Sequence, residues 1–484
     1  IVKWWQKLCL LRPILKEQDS ILFQIKKCIT LDKENSMMKK SIFIYMTGII
    51  ILSSQSLKVD PMIYEIIDNI SAGHLEEYVT KLANFGTRHT LSDTLSNTRG
   101  IGAARRWIKK EFEKISKDCG GCLEVKEQWT LVKGNPKSRI KKDTWIVNIY
   151  AIKRGTKYPN RYVIMSGDID SRISDPLDGK GDSPGANDNA TGMAGALELA
   201  RVLSKYDFPT SILLAGLSGE EQGLYGGKFL AEKAKIEGWK IAGILNNDMI
   251  GNIEGVDGVI DNRTFRIFSE PYSILETEKQ LKQKRFYGGE NDGESRQLAR
   301  HVFASTKTYL PEMNPLLIYR LDRFGRGGHH RPFNEVGFPG IRIMEAHENY
   351  NRQHQDIRTE NGIDYGDVIS GVNFEYCAKL TAVNAAALAT LALAPAKPKN
   401  VKIGGIVKPS TILSWEKVDG AVAYKLYWRD TTAPTWQHFK WVESGITKYT
   451  LKGIVIDNFL FGVAAVGKDG HESMVAYPGG LIGR

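Results

Sequence analysis

The chain has 484 residues, 42% hydrophobic and 25% charged, an ordinary globular composition with room for two or more domains. Its formal net charge of +11 invites a nucleic-acid reading, but residues 1–56 hold nine Lys/Arg against four Asp/Glu, which leaves +6 over the other 428 positions. No basic run interleaved with aromatics occurs there, so nucleic acid is excluded as a partner.

The first 36 residues open on Ile1 and show no periodicity or domain logic. The segment MMKKSIFIYMTGIIILSSQS then begins at Met37. Lys39 and Lys40 form a positive head, Ile42 to Leu52 an apolar run, and Ser54 and Ser56 suit a cleavage site. The apolar run falls well short of the roughly 20 residues a membrane span needs. Residues 1–36 therefore read as an upstream extension and 37–56 as a cleaved signal peptide. The expected location is secreted or periplasmic, with no stable membrane anchor after cleavage.

Helices are predicted through 61–118: MIYEIIDNI, HLEEYVTKLANF and AARRWIKKEFEKIS. The CGGC turn that follows lacks both the second CxxC of a zinc ribbon and the context of a redox motif. A local Cys119–Cys122 disulfide is the reading that remains, and Cys377 in an apolar helix reads as a buried thiol. From about 123 to 394 strands and helices alternate. This predicts an α/β domain with a mixed, mostly parallel sheet and helices on both faces, spanning 57–394. In the helix after PGANDNATG, Met193, Leu197, Ala200 and Leu203 share one face. Residues 252–328 are charged, Gly-rich and irregular, and read as an insertion beside the cleft. PAKPKN (395–400) is a Pro/Lys linker. TILSWEKV, AYKLYWRD, TKYTLKGI and NFLFGVAAVG then predict an all-β sandwich over 401–484. A cut in the linker is expected to leave two folding units.

The chemistry lies at the strand ends. RYVIM runs into Asp168, SILLAGL into Glu220 and Glu221, and KIAGIL into Asp248, with Asp188 in the PGANDNATG loop. In open α/β sheets ligands sit beyond the carboxyl ends of the strands. Acids gathered there repel one another unless cations offset them, which points to a metal site. Of the adjacent pair, one glutamate can hold metal while the other takes a proton from water. RGGHHRPFNEVGFPG supplies His329 and His330 as imidazole donors, and His347 and His354 lie in a loop placed to meet substrate.

With NDNATG, GEEQGLYGG, NDMIG and HHRPFNEVGFPG in this order, residues 61–394 resemble the co-catalytic zinc aminopeptidases of metallopeptidase clan MH, typified by secreted bacterial leucyl aminopeptidases. The resemblance implies a two-zinc exopeptidase acting on peptides. Asp188 matches the bridging ligand, Glu220 the general base, Glu221 and His330 ligands of one zinc, and Asp168 and Asp248 ligands of the other. Asp168 departs from the family's GHxDS pattern, where the ligand is His. Asp170 keeps the orienting acid, and an all-aspartate set suits a harder divalent ion. His329 stands where relatives have Asp or Tyr, a place for an oxyanion or substrate contact. Residues 401–484 resemble a fibronectin type III module, with Trp415 at the expected place, and imply a part that binds protein or polysaccharide. Two other classes stay open: a glutaminyl-cyclase-like enzyme, and an inactive receptor-like relative. The retained acids favour the peptidase.

Overall fold

The computed structural model describes residues 59–483, so the expected extension (1–36) and signal peptide (37–56) lie outside the described residues. Three helices come first, α1 (Pro61–Asp68), α2 (Ala72–Ala83) and α3 (Gly100–Asp118). Asp60 caps α1 by accepting from Met62 N at 2.9 Å, and Ser71 caps α2 through His74 N at 3.3 Å. Along α3 the residues Ile101, Ala104, Ile108, Phe112 and Ile115 recur at three- and four-residue steps, and all are buried. A Cys119–Cys122 disulfide closes the turn after α3. Gly120 and Gly121 sit there at φ 74° and 84°, a conformation that other residues adopt at a cost.

Eight strands form one sheet: β1 (Leu123–Val132), β2 (Thr144–Lys153), β3 (Tyr158–Asp168), β4 (Thr210–Leu217), β5 (Lys240–Asn247), β6 (Thr264–Ser269), β7 (Asn314–Ile318) and β8 (Gly340–Glu345). Their order is β1-β2-β4-β3-β5-β8-β6-β7. The central strands β4, β3, β5 and β8 run parallel. Antiparallel pairings flank them, through β2 on one side and β6 on the other. This is the mixed sheet that the alternation predicts. One difference lies in 252–328: instead of an irregular insertion, β6 and β7 extend the sheet at one side. Phe265 and Ile267, alternating along β6, are buried in the main core, and that burial outweighs the charged and Gly-rich surroundings.

Helices α4 (Gly192–Leu203) and α5 (Tyr225–Ile236) connect β3 to β4 and β4 to β5. They are followed by α6 (Glu278–Phe286), α7 (Glu294–Tyr309), α8 (His330–Glu335) and α9 (Phe374–Leu393). Met193, Leu197 and Ala200 of α4 join the main core with Leu380, Val383 and Leu388 of α9. Leu230, Ala231 and Ala234 of α5 pack with Ile164, Leu213 and Ile244 in a second core. Helix α9 is long and apolar enough to cross a membrane, but 83% of its most apolar window is buried inside the protein. Its hydropathy is that of a core helix; truncating Leu380 to Ala costs about 2–5 kcal/mol on the usual scale for buried leucines.

A small hairpin, β9 (Arg358–Glu360) and β10 (Ile363–Tyr365), precedes α9. Beyond it come β11 (Lys402–Gly404), β12 (Ser410–Ser414), β13 (Ala423–Asp430), β14 (His438–Glu443), β15 (Lys448–Lys452), β16 (Phe459–Val466) and β17 (Gly480–Leu481). They form two sheets, β15-β12-β11-β17 and β14-β13-β16. A shared core of Leu413, Trp415, Tyr424, Leu426, Phe461 and Val463 lies between them, with the Trp415 and Tyr424 rings edge to face at 5.1 Å. More than the linker joins this sandwich to the α/β part. The start of the linker is itself pinned to β3, where Arg161 donates to the carbonyls of Ala394 and Pro395 at 3.0 Å each. Asp292 is buried between Arg300 of α7 and Arg429 of β13, whose Nη2 lies 2.8 Å from Oδ2. Severing the two parts exposes this buried ion network, which the linker composition does not suggest.

Arg429→Met should lower unfolding stability by about 1.5–3 kcal/mol, the range for a hydrogen bond to a charged group. The loss stays below that of a stranded buried charge because Asp292 keeps Arg300. Urea unfolding checks this.

Candidate metal centre

The acids meet at the carboxyl ends of the parallel strands. Asp168 is the last residue of β3, Glu220 and Glu221 follow β4 by three and four residues, and Asp248 directly follows β5. Gly167 makes room for the loop that carries Asp188: a Cβ on it would lie 2.2 Å from the Gly192 carbonyl carbon, so only glycine lets β3 approach α4 this closely.

Three donors converge. Nε2 of His354 lies 3.0 Å from Asp188 Oδ2 and 3.0 Å from Glu221 Oε1. Among the described residues this is the group that brings three ligand atoms within 4.8 Å of one another. Two carboxylates and one imidazole match a catalytic zinc set that leaves a fourth position open. The three ligands are held from behind. Arg172 Nε donates to Glu221 Oε2 at 2.7 Å, and its Nη2 lies 2.7 Å from His354 Nδ1. Asp367 accepts from the backbone N–H groups of Asn187 and Asp188 at 2.8 and 2.6 Å and so fixes the Asp188 loop. Asp170 accepts from Glu220 N and Glu221 N at 3.2 and 3.1 Å and from Thr90 Oγ1 at 2.9 Å. Its task is to pin the Glu-Glu turn; the expectation that it orients residue 168 does not match this geometry.

Electrostatics agree with the convergence. Burial alone would raise the Asp188 and Glu221 carboxyls, but the His354 ring beside them outweighs it and both lie below the usual range. Burial also opposes charge on His354; Glu221 and Asp188 overcome it and push the imidazole up to about 9. A metal takes the proton's place in such a nest. Glu220 differs from all of these. Its carboxylate accepts no hydrogen bond among the described residues, and burial followed by the charges of Glu221, Asp248, Asp168 and Asp188 holds it well above the usual range. A cation bound beside it draws that value back down.

The remaining expected residues sit elsewhere. His330 is fully buried and does not join the cluster: its Nε2 lies 2.8 Å from the Leu321 carbonyl, and His354 stands in the place expected of it. His329 is likewise fully buried, with Nδ1 2.5 Å from Asp168 Oδ1, so it does not face substrate. The other Asp168 oxygen accepts from Asn189 Nδ2 at 2.7 Å. Asp248 pairs with the buried Arg342 at 2.8 Å. Asp168, Asp188 and Asp248 thus form no three-oxygen group, and the expected second metal set does not fit. His347 is not part of the three-donor group; its Nδ1 lies 3.8 Å from Asp257 Oδ2.

The model of peptidase family M28 matches residues 148–369, a span that runs from β2 to beyond His354. A protein of Pyrenophora teres f. teres named "Probable zinc metalloprotease" is 42% identical over 425 residues, 87% of either chain. The chain belongs to peptidase family M28. A second relative in Leptosphaeria maculans, of the same name, is 41% identical over 420 residues, covering 86% of this chain and 96% of its own. Among solved structures, LapB from Legionella pneumophila shares the fold at 17% identity and a TM-score of 0.50, over 70% of this chain and 77% of that one.

The sequence places His354 in this M28 site as a substrate contact, not as a metal ligand, and does not single out Asp367 or Glu345. His354 sits in a polar loop (NRQHQD) with no local pattern, while the HHRPF doublet draws attention to itself. Its one signal is position, since the loop follows β8, the next parallel strand along the crevice. Asp367 and Glu345 carry no motif. Glu345 accepts from Asn187 Nδ2 at 3.0 Å and Asn252 N at 2.9 Å, which ties the Asp188 loop to β8.

His354→Gln should abolish retention of a divalent ion, whereas His330→Gln should keep it; metal analysis after gel filtration separates the two. A pH effect follows from Glu345, whose carboxyl burial pushes from 4.5 up to about 8, against the hydrogen bonds from Asn252 and Asn187. The folded state then holds a proton that the unfolded chain has released, so this residue's contribution to stability falls as pH rises from about 4.5 to about 8. Glu345→Gln should flatten that slope in melting curves taken across the window.

Proposed function

We propose that this chain is a secreted zinc aminopeptidase that hydrolyses the N-terminal bond of peptides, with Glu220 as general base. The observation that carries the reading is the convergence of Asp188, Glu221 and His354 beside an unpaired Glu220. The zinc metalloprotease names of the relatives support the choice of ion, and the donor set fits it.

When bound by those three residues, zinc supplies Lewis acidity and makes water more acidic. The chain's own groups do the rest. Glu220, free of other partners, accepts the proton of the attacking water and returns it to the leaving amine. Arg172 occupies the Glu221 oxygen that faces away from His354, which leaves Oε1 for the ion. Asp367 and Asp170 keep the two ligand loops from shifting.

The amino-terminal preference rests on the motif resemblance. The export reading rests on the 37–56 pattern, and the Cys119–Cys122 disulfide supports it, since such bonds persist in oxidising compartments. For the sandwich we propose a fibronectin type III-like binding module, on its four- and three-stranded sheets and its Trp415–Tyr424 core. A second enzymatic reading, cyclisation of N-terminal glutamine, is favoured by one feature: a single three-donor group.

Glu220→Gln should lower hydrolysis of an amino-acid anilide by about 10²–10⁴ while the ion is retained. Near-normal turnover would refute the base assignment. N-acetylation of the substrate should block cleavage, and release of ammonia from an N-terminal glutaminyl peptide without peptide cleavage would favour the second reading.

A further inference from the structure

The metal reading uses Asp188, Glu221 and His354 and leaves two buried aspartates, Asp168 and Asp248, at the same crevice. We infer that no second ion binds between them: the guanidinium of Arg342 and the His329–Asp168 pair fill that role, and the chain works with a single metal. This inference rests on the metal reading above.

Arg342 lies on β8, in a strand whose neighbours Ile341 and Ile343 are fully buried, and it is itself fully buried. Its Nη2 forms an ion pair with Asp248 Oδ2 at 2.8 Å and donates to the Asp248 carbonyl at 3.3 Å. Its Nη1 donates to both Asp322 oxygens at 3.2 and 3.1 Å and to the Gly327 carbonyl at 2.9 Å. A guanidinium keeps its proton in proteins, so this positive charge is permanent. It sits against the carboxylate that a second ion would need, and it repels a divalent cation there.

Asp168 is equally committed. Oδ1 lies 2.5 Å from His329 Nδ1, and Oδ2 accepts from Asn189 Nδ2 at 2.7 Å. Asn189 is itself held, donating to the Asn247 carbonyl at 2.7 Å and accepting from Gly192 N at 3.0 Å. The His329 ring packs closely on Gly227, where a Cβ would lie 2.6 Å from its Cδ2. Of the four oxygens of Asp168 and Asp248, one remains without a partner, Asp248 Oδ1. That oxygen, with Asp188 shared, falls short of the three protein ligands a catalytic zinc site uses.

The test is a metal count on the purified full chain, stripped with chelator and equilibrated with Zn²⁺, by mass spectrometry and calorimetric titration. One ion per chain is expected, unchanged in Asp248→Asn and lost in His354→Gln. In Arg342→Gln, with both Asp168 oxygens still held, the count should stay at one; combined with His329→Gln, which frees Asp168 as well, it should rise to a second Zn²⁺ or Mn²⁺, and thermal stability should rise when either is added. Two ions in the native chain, falling to one in Asp248→Asn, would overturn the inference and leave the metal reading standing. No retained ion at all would overturn the metal reading and this inference with it. Should Arg342→Gln fail to fold, the native count and Asp248→Asn decide the matter.

Discussion

Like charge is the constraint on which this molecule turns. Parallel strands deliver Asp168, Asp170, Glu220, Glu221 and Asp248 to one end of the sheet, and the loop before α4 adds Asp188. Two carboxylates about 4 Å apart repel by about 4 kcal/mol at the effective dielectric of a protein interior near its surface. All but one of these acids are therefore met by a cationic side chain, an imidazole or backbone N–H groups. Arg172 and His354 face Glu221, His354 faces Asp188, Arg342 faces Asp248, and His329 faces Asp168. Asp170 takes two backbone N–H groups. Glu220 alone of the set is left without a donor, and that is the property a proton acceptor needs.

The supporting groups come from elements far apart in the chain. Arg172 follows β3, Arg342 lies within β8, His354 stands in the loop beyond β8, and Asp367 precedes α9. Sites held from several rigid elements keep their geometry better than sites carried on one loop. The small glycines Gly167 and Gly227 belong to the same design, since each lets a ring or a backbone approach where a side chain would collide.

The sandwich is held by a similar rule applied far from the crevice. Asp292 is buried between Arg300 and Arg429, one cation from each part. Tyr319 and Tyr477 add hydrogen bonds across the same junction, to the carbonyls of Pro434 and Tyr287 at 2.7 and 2.6 Å. A buried charge without partners is costly, so this junction favours the docked arrangement over a loosely tethered one.

Local pattern carried much of this structure. The runs RYVIM, SILLAGL and KIAGIL determined three central strands, because continuous apolar stretches of that length are buried on both faces of a parallel sheet. They also determined that Asp168, the Glu220–Glu221 pair and Asp248 emerge at strand ends, since chain direction alone sets that. Met193, Leu197 and Ala200 were legible as core positions of α4 from their spacing, whereas the fold buries every residue of that helix except Arg201. Tertiary structure decided the partners. His354 and His330 are equivalent as residue types, and only the path of the chain after β8 brings one to Asp188 while α8 turns the other to the Leu321 carbonyl. Arg342 reads as an anomaly inside IRIM until the fold sets it between Asp248 and Asp322. The physical reason is range. Hydrophobic periodicity acts over neighbours along the chain, whereas charge pairing acts through space between residues that only the finished sheet brings together.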